Sequence, residues 1–172
     1  MQSKILLVIC CFLNFTCAKA QEFNKDSILR AEANGLIFAP VDQSLTTDSF
    51  DIKLGNAYVN ARRNSKKIST DNFFPKESRA LEINYYYKKD SLKYVEVFQK
   101  CLLKPGKECF SYYYFDNDKL VLEQTGTKIK LGFQCIGYAT DDIKMNAICP
   151  NGMDKDFLRN YIMDLLKVIK EY

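Results

Sequence analysis

The chain contains no histidine. That removes Ser-His-Asp and Cys-His nucleophile arrangements and the histidine-based zinc centres. Its 7 glycines are scattered singly, with no Gly-x-Gly-x-x-Gly or P-loop run to cradle a phosphate. Charge of either sign is in short supply as a net quantity: 25 basic residues face 21 acidic ones. That balance argues against an electrostatic nucleic-acid binder. Beyond the amino terminus no apolar run approaches the roughly 20 residues a membrane span needs. The only Asn-x-Ser/Thr match is Asn14-Phe15-Thr16, and the absence of any later one tilts toward a bacterial source.

What is there begins with MQSKILLVICCFLNFTCAKA. Lys4, the apolar run Ile5 to Phe15 and the small-x-small pattern Ala18-Lys19-Ala20 together read as a cleaved signal peptide over residues 1–20. The expected mature protein is one exported domain, residues 21–172. Loss of Lys4 and Lys19 takes its net charge from +4 to +2. The destination is the periplasm or the exterior. The alternative is a lipid anchor on Cys17, although Asn14-Phe15-Thr16 lacks the usual Leu at −3 and small residue at −1.

Residues 22–34 pattern as a short polar helix stopped by Gly35, and Leu36 to Pro40 as a brief edge segment. Phe50, Leu54, Ala57, Tyr58 and Ala61 recur at helical spacing and predict a second helix over about 50–63, with Gly55 as its weak point. Arg62, Arg63, Lys66 and Lys67 read as a solvated basic loop. From Leu81 the period becomes two, and strands are expected over 81–88, 92–100, 108–115, 119–125 and 128–135. Turns fall at Lys89-Asp90-Ser91, Pro105-Gly106, Asp116-Asn117-Asp118 and Gly126. Two hairpins repeat: Tyr85-Tyr86-Tyr87 with Leu92 is echoed by Tyr112-Tyr113-Tyr114 with Leu120, at an offset of 27 residues with one inserted. From Asp154, the positions Phe157, Leu158, Tyr161, Ile162, Leu165, Leu166, Ile169 and Tyr172 trace the stripe of an amphipathic helix. The expected fold is α+β: an antiparallel β-meander of about five strands against a C-terminal amphipathic helix and one or two N-terminal helices.

Catalytic chemistry is thin. Glu82, Glu96 and Glu123 lie on expected strands and could face each other across a cleft, as glycoside hydrolysis requires. Polar residues on the solvent side of a half-buried sheet give the same pattern. Asp116-x-Asp118 opens like a calcium loop but lacks the following glycine and closing glutamate, and reads as a turn. Asp141-Asp142 and Asp154-x-Asp156 read as a turn and a helix start. No metal or cofactor is expected. Seven of the 11 tyrosines fall between Tyr85 and Tyr114. The expected binding surface is Tyr86 and Tyr113 on the sheet face away from the helix, with Lys88 and Lys93 beside them. Tyrosine gives contact area at low entropic cost, which suits a protein or a glycan.

The Ala-Lys-Ala-Gln junction and the Tyr-Tyr-Tyr-x4/5-Leu hairpins resemble uncharacterised secreted proteins of the Bacteroidota. The resemblance is compositional and covers the signal and roughly residues 81–125. It implies export and no particular activity. The leading expectation is a non-enzymatic exported binding domain, such as an immunity or inhibitor protein acting on a secreted or envelope macromolecule. The alternatives are a small carboxylate-dependent glycan or peptidoglycan hydrolase and a scaffold subunit of an envelope assembly.

Beyond the signal four cysteines remain: Cys101, Cys109, Cys135 and Cys149. Export and the even count predict two disulfides. In the expected meander Cys101 and Cys109 meet beside one turn, while Cys135 closes the last strand at the opposite end. That gives Cys101–Cys109 and Cys135–Cys149, provided a bulge or odd-length loop absorbs one residue. Non-reducing peptide mapping is expected to recover these two linkages. A peptide joining Cys109 to Cys135 would overturn the pairing and the strand order behind it.

Overall fold

Alternation of apolar and polar side chains sets in long before Leu81, and it builds most of the molecule. A computed structural model describes residues 25–37, 48–101, 107–131, 134–139 and 154–172. The chain divides into two units, Met1–Ala39 and Pro40–Tyr172. The first contributes helix α1, residues 25–37. The second carries strands β1 Asp48–Leu54, β2 Ala57–Arg63, β3 Lys67–Phe74, β4 Arg79–Lys88, β5 Ser91–Cys101, β6 Lys107–Asp116, β7 Lys119–Leu131 and β8 Gln134–Ala139, then helix α2 Lys155–Glu171. The strands form one antiparallel sheet in sequence order, with β1 and β8 at its edges. The fold is α+β, with eight strands where about five were expected. No described helix is long and apolar enough to cross a membrane.

Two of the extra strands, β1 and β2, replace the helix expected over 50–63. Phe50, Ile52 and Leu54 alternate with Asp51 and Lys53, and Ala57, Val59 and Ala61 alternate with Tyr58 and Asn60. Both periods fit those residues. The turn decides: Gly55 adopts φ +60, so Gly55-Asn56 closes a hairpin that pairs Leu54 with Ala57. The stretch read as a basic loop is likewise a tight connection. Asn64 Oδ1 accepts from the backbone N–H of Lys66 at 2.9 Å and of Lys67 at 2.8 Å, so Lys67 already begins β3. In α1 the helix runs through Gly35 to residue 37 rather than stopping there. Residues 38–40, the rest of the expected edge segment, lie outside the described residues, as do residues 1–20.

The tyrosine hairpins repeat more strictly than the sequence suggested. Lys89 and Asp90 both take positive φ, as do Asn117 and Asp118. Two positive φ values in a two-residue loop are the mark of a type I′ turn. The register shifts between Tyr86 and Tyr87 and again between Tyr114 and Phe115, leaving Lys93 and Val121 as the extra residues. The true offset is therefore 28 residues, with no insertion: Tyr86 corresponds to Tyr114, and Lys93 to Val121. Asp118 joins the two copies. Its Oδ1 accepts from Leu92 N at 2.9 Å.

Gly126 is not a turn. It pairs with Phe110 on one side and Ala139 on the other, so β7 continues to Leu131. This moves Cys135. It pairs with Lys130, at the same end of the sheet as the start of β6 and the end of β5. Cys109 stands opposite Thr127, and Thr127 opposite Tyr138, so Cys135 remains two strands and three residues away, about 14 Å and beyond the reach of a Cys109–Cys135 bond. Cys109 is buried opposite Gln99 rather than opposite Cys101. The side chains of Cys101, Cys135 and Cys149 lie outside the described residues, and so do both expected bonds.

One face of the sheet buries against α2. Asp154 caps the helix, its Oδ1 accepting from Phe157 N at 2.6 Å. Leu158, Tyr161, Ile162, Leu165, Leu166 and Ile169 are buried on the helix side, against Ile52, Val59, Ile68, Phe74, Leu81, Ile83, Tyr85, Val95, Val97, Tyr113 and Phe115 from six strands. Polar pins fix the helix over this apolar floor. Tyr85 Oη donates to Ile162 O at 3.0 Å, and Tyr161 Oη donates to Asn72 Oδ1 at 2.9 Å. Asn72 is satisfied in turn, donating to Thr70 Oγ1 at 2.8 Å. At the helix end Tyr172 stacks on Phe50 with ring centres 5.1 Å apart. Urea unfolding should find Leu165→Ala less stable by about 3 kcal/mol and Asp154→Ala by about 1 kcal/mol. Near-zero losses would show that α2 is not docked as described.

Candidate functional site

The face turned away from α2 follows from the register. Tyr58 stands opposite Phe73, and Phe73 opposite Ala80. One step along the strands come Asn60, Asp71 and Glu82, then Arg62, Ser69, Asn84 and Glu96, then Lys67, Tyr86, Tyr94 and Tyr114. The steps are about 7 Å apart, two residues of strand.

At one side of this face the tyrosines form a closed aromatic cluster. Tyr94 is its centre, with ring centres 5.7 Å from Tyr86, 5.9 Å from Tyr112 and 5.0 Å from Tyr114. Phe110 stacks on Tyr112 at 4.8 Å. Glu96 lies within the cluster and is itself buried. Tyr86 Oη donates to its Oε2 at 2.8 Å and Tyr94 Oη to its Oε1 at 3.5 Å. The Lys67 ammonium sits 5.1 Å from the centre of the Tyr86 ring. Burial lifts the Glu96 carboxyl above the usual carboxylate value, opposed by the Tyr86 hydrogen bond and the Lys67 charge. Burial also lowers the Lys67 ammonium, opposed by Glu96 and Glu82. The phenols of Tyr86 and Tyr94 are raised, first by burial and then by the Glu96 charge.

Beside the cluster is a polar pocket of about 300 Å³ lined by Arg62, Asn64, Lys67, Ser69, Glu82 and Asn84. A smaller recess of about 120 Å³, lined by Asp71, Asn72, Phe73, Ala80, Leu81 and Glu82, adjoins it through Glu82. Asn84 is 3% exposed. Its Nδ2 donates weakly to Glu82 Oε1 at 3.4 Å, while its Oδ1 accepts no hydrogen bond. Arg62 is held by Asp71 at 2.8 Å. Beyond the recess, Tyr58 and Phe73 are 54% and 45% exposed.

The expected surface of Tyr86, Tyr113, Lys88 and Lys93 is not one surface. Tyr86 faces away from α2 but is buried in the aromatic cluster. Tyr113 is fully buried in the core under α2. The 27-residue alignment had matched Tyr86 with Tyr113, whereas the bulges match it with Tyr114. Lys88 is exposed at the hairpin end and Lys93 is half-buried at the bulge. Among the carboxylates, Glu82 and Glu96 come together on the face turned away from α2. Glu123 goes to the other side, where Arg159 Nη2 holds it at 2.6 Å. Asp116-x-Asp118 forms the second type I′ turn. Among the described residues no group of His, Cys, Asp or Glu is placed to hold a metal ion. Asp141-Asp142 lies outside them.

Sequence reasoning missed Tyr58, Phe73, Ser69 and Asn84. Strict alternation through 57–63 and 67–74 was the signal that would have put Tyr58 and Phe73 on one exposed face. No protein-family model, curated protein or solved structure matches the chain.

The shift at Glu96 has a sign that can be measured. The folded state holds the Glu96 proton more tightly than the unfolded chain, whose ordinary value is 4.5. The resulting stability is fully present below that value and is lost as pH rises through the raised folded value. Glu96→Gln removes this titration. Relative to the wild type, its unfolding free energy should climb as pH rises above about 4.5 and then level off. Parallel pH profiles for the two proteins would show that Glu96 is not held as described.

Proposed function

We propose that this chain is a non-enzymatic, exported binding domain that engages a macromolecule of the cell envelope or the exterior through the face of its sheet turned away from α2. An immunity or inhibitor protein is one form of that role, and two disulfides would suit the compartment. The observation that supports it is a polar pocket whose buried Asn84 carbonyl has no acceptor role filled, next to an exposed aromatic pair on the same face. A buried polar atom without a partner is costly, and a ligand that supplies the missing donor recovers the cost.

Glu82 and Glu96 supply a second reading, a carboxylate-dependent hydrolase. They stand diagonally on neighbouring strands, and their environments differ, as paired acid and base groups require. Against it, both Glu96 oxygens accept phenol hydrogen bonds and the side chain does not line the pocket. An acid catalyst needs its proton aimed at the substrate. Binding is therefore the better supported role.

Sedimentation tests it. Purified protein should co-sediment with insoluble envelope material of its source organism, and Tyr58→Ser with Phe73→Ser should abolish this without lowering the melting temperature. Equal sedimentation of the variant, or none by the wild type, would defeat the reading. Release of soluble fragments with time, lost in Glu82→Gln, would make the protein a hydrolase.

A further inference from the structure

We infer that the sheet face turned away from α2 binds a neutral glycan strand laid over β2, β3 and β4, with Tyr58 and Phe73 as its aromatic platform and the Asn84 pocket as its hydrogen-bonding end. The inference rests on reading the protein as a binding domain and names the class of its ligand.

The platform comes from the register. Tyr58 and Phe73 are direct cross-strand neighbours and the two large exposed aromatics of this face. Lys53 Nζ lies 5.7 Å from the Tyr58 ring centre and steadies that ring. Flat, exposed rings of this kind accept the apolar C–H face of a pyranose, since they offer rigid contact area. From Phe73 to Ser69 the strand advances four residues, about 13 Å. That span fits a short oligosaccharide rather than a single sugar. Between its ends lie the recess at Glu82 and then the larger pocket.

The pocket selects hydroxyl groups. Its walls offer amide, hydroxyl and carboxylate groups beside the Arg62 and Lys67 cations. A sugar hydroxyl donates and accepts at one atom, so it can serve the Ser69 hydroxyl and the Glu82 carboxylate together. The charges are already matched within the protein. Arg62 is paired with Asp71, and Lys67 faces Glu96 and Glu82. Two cations set among three carboxylates offer no surplus positive charge to a uronate, a phosphate polymer or a nucleic acid. A protein partner would be expected to meet an apolar centre with few charges. Here the centre is polar and the aromatics stand at one end.

Tyrosine fluorescence or NMR titration with cellohexaose, maltohexaose, chitohexaose and hexagalacturonate decides the matter. At least one neutral hexasaccharide should bind saturably, and hexagalacturonate should bind at least about tenfold more weakly. Tyr58→Ala with Phe73→Ala should weaken the neutral ligand about tenfold or more. Ser69→Ala should weaken it by about threefold, and Lys167→Ala on the outer side of α2 should not change it. Thermal melts confirm that each variant is folded. Undiminished affinity in the aromatic double variant would overturn the site. Binding of hexagalacturonate alone would overturn the neutral class. Failure of every hexasaccharide, with envelope sedimentation intact, would overturn the glycan assignment and leave the binding-domain reading standing. Failure of both would remove both. Cleavage of a hexasaccharide would keep the site and overturn the non-enzymatic reading.

Discussion

Successive side chains of a strand leave it on opposite sides, and in this chain that rule acts on two runs of three tyrosines. A run of three cannot serve one face. Tyr85 and Tyr113 go into the core beneath α2, while Tyr86, Tyr94 and Tyr114 assemble on the far side. The sheet is thus aromatic on both faces, and each face must deal with its phenols. Under α2 the answer is a set of hydrogen bonds: Tyr85 to the Ile162 carbonyl, and Tyr161 to Asn72. On the far side it is Glu96, which accepts from Tyr86 and Tyr94.

The two hairpins make that distribution possible. A bulge shifts the register by one residue, and a one-residue slip exchanges the faces. The tyrosine rows stay aligned across β4, β5 and β6 because β5 pairs with β6 without a shift, Tyr94 standing opposite Tyr86 on one side and Tyr114 on the other. Asp118 fastens the pair by accepting from Leu92 N, next to the first bulge.

Much of this was legible in the sequence. The stripe from Asp154 to Tyr172 carried its own cap and period, and four of the expected strands fall within β4 to β7. What misled were residues whose meaning depends on a partner strand. Gly126 has the composition of a turn, yet it sits between Phe110 and Ala139 as an ordinary strand position. Phe50 to Ala61 satisfies two periods at once, and only the positive φ of Gly55 separates them. The candidate site was less legible for the same reason. Ser69 and Asn84 carry no motif. They become neighbours only when β3 pairs with β4 in one particular register.

That register also accounts for the pocket of the proposed site on the far face. The aromatic cluster closes on itself around Tyr94 and consumes Glu96 and much of Lys67. Asn84 stands opposite Glu96 and is buried by that closure. Its amide nitrogen turns to Glu82, and no donor within the cluster reaches its oxygen. Such an oxygen is costly inside a folded protein, and its residue forms part of the pocket wall. The same tyrosines that stabilise the sheet thus leave one buried acceptor unpaired beside the pocket, with exposed rings two rows away. The proposed binding surface is the border of the tyrosine cluster, where its packing stops and its hydrogen bonding is incomplete.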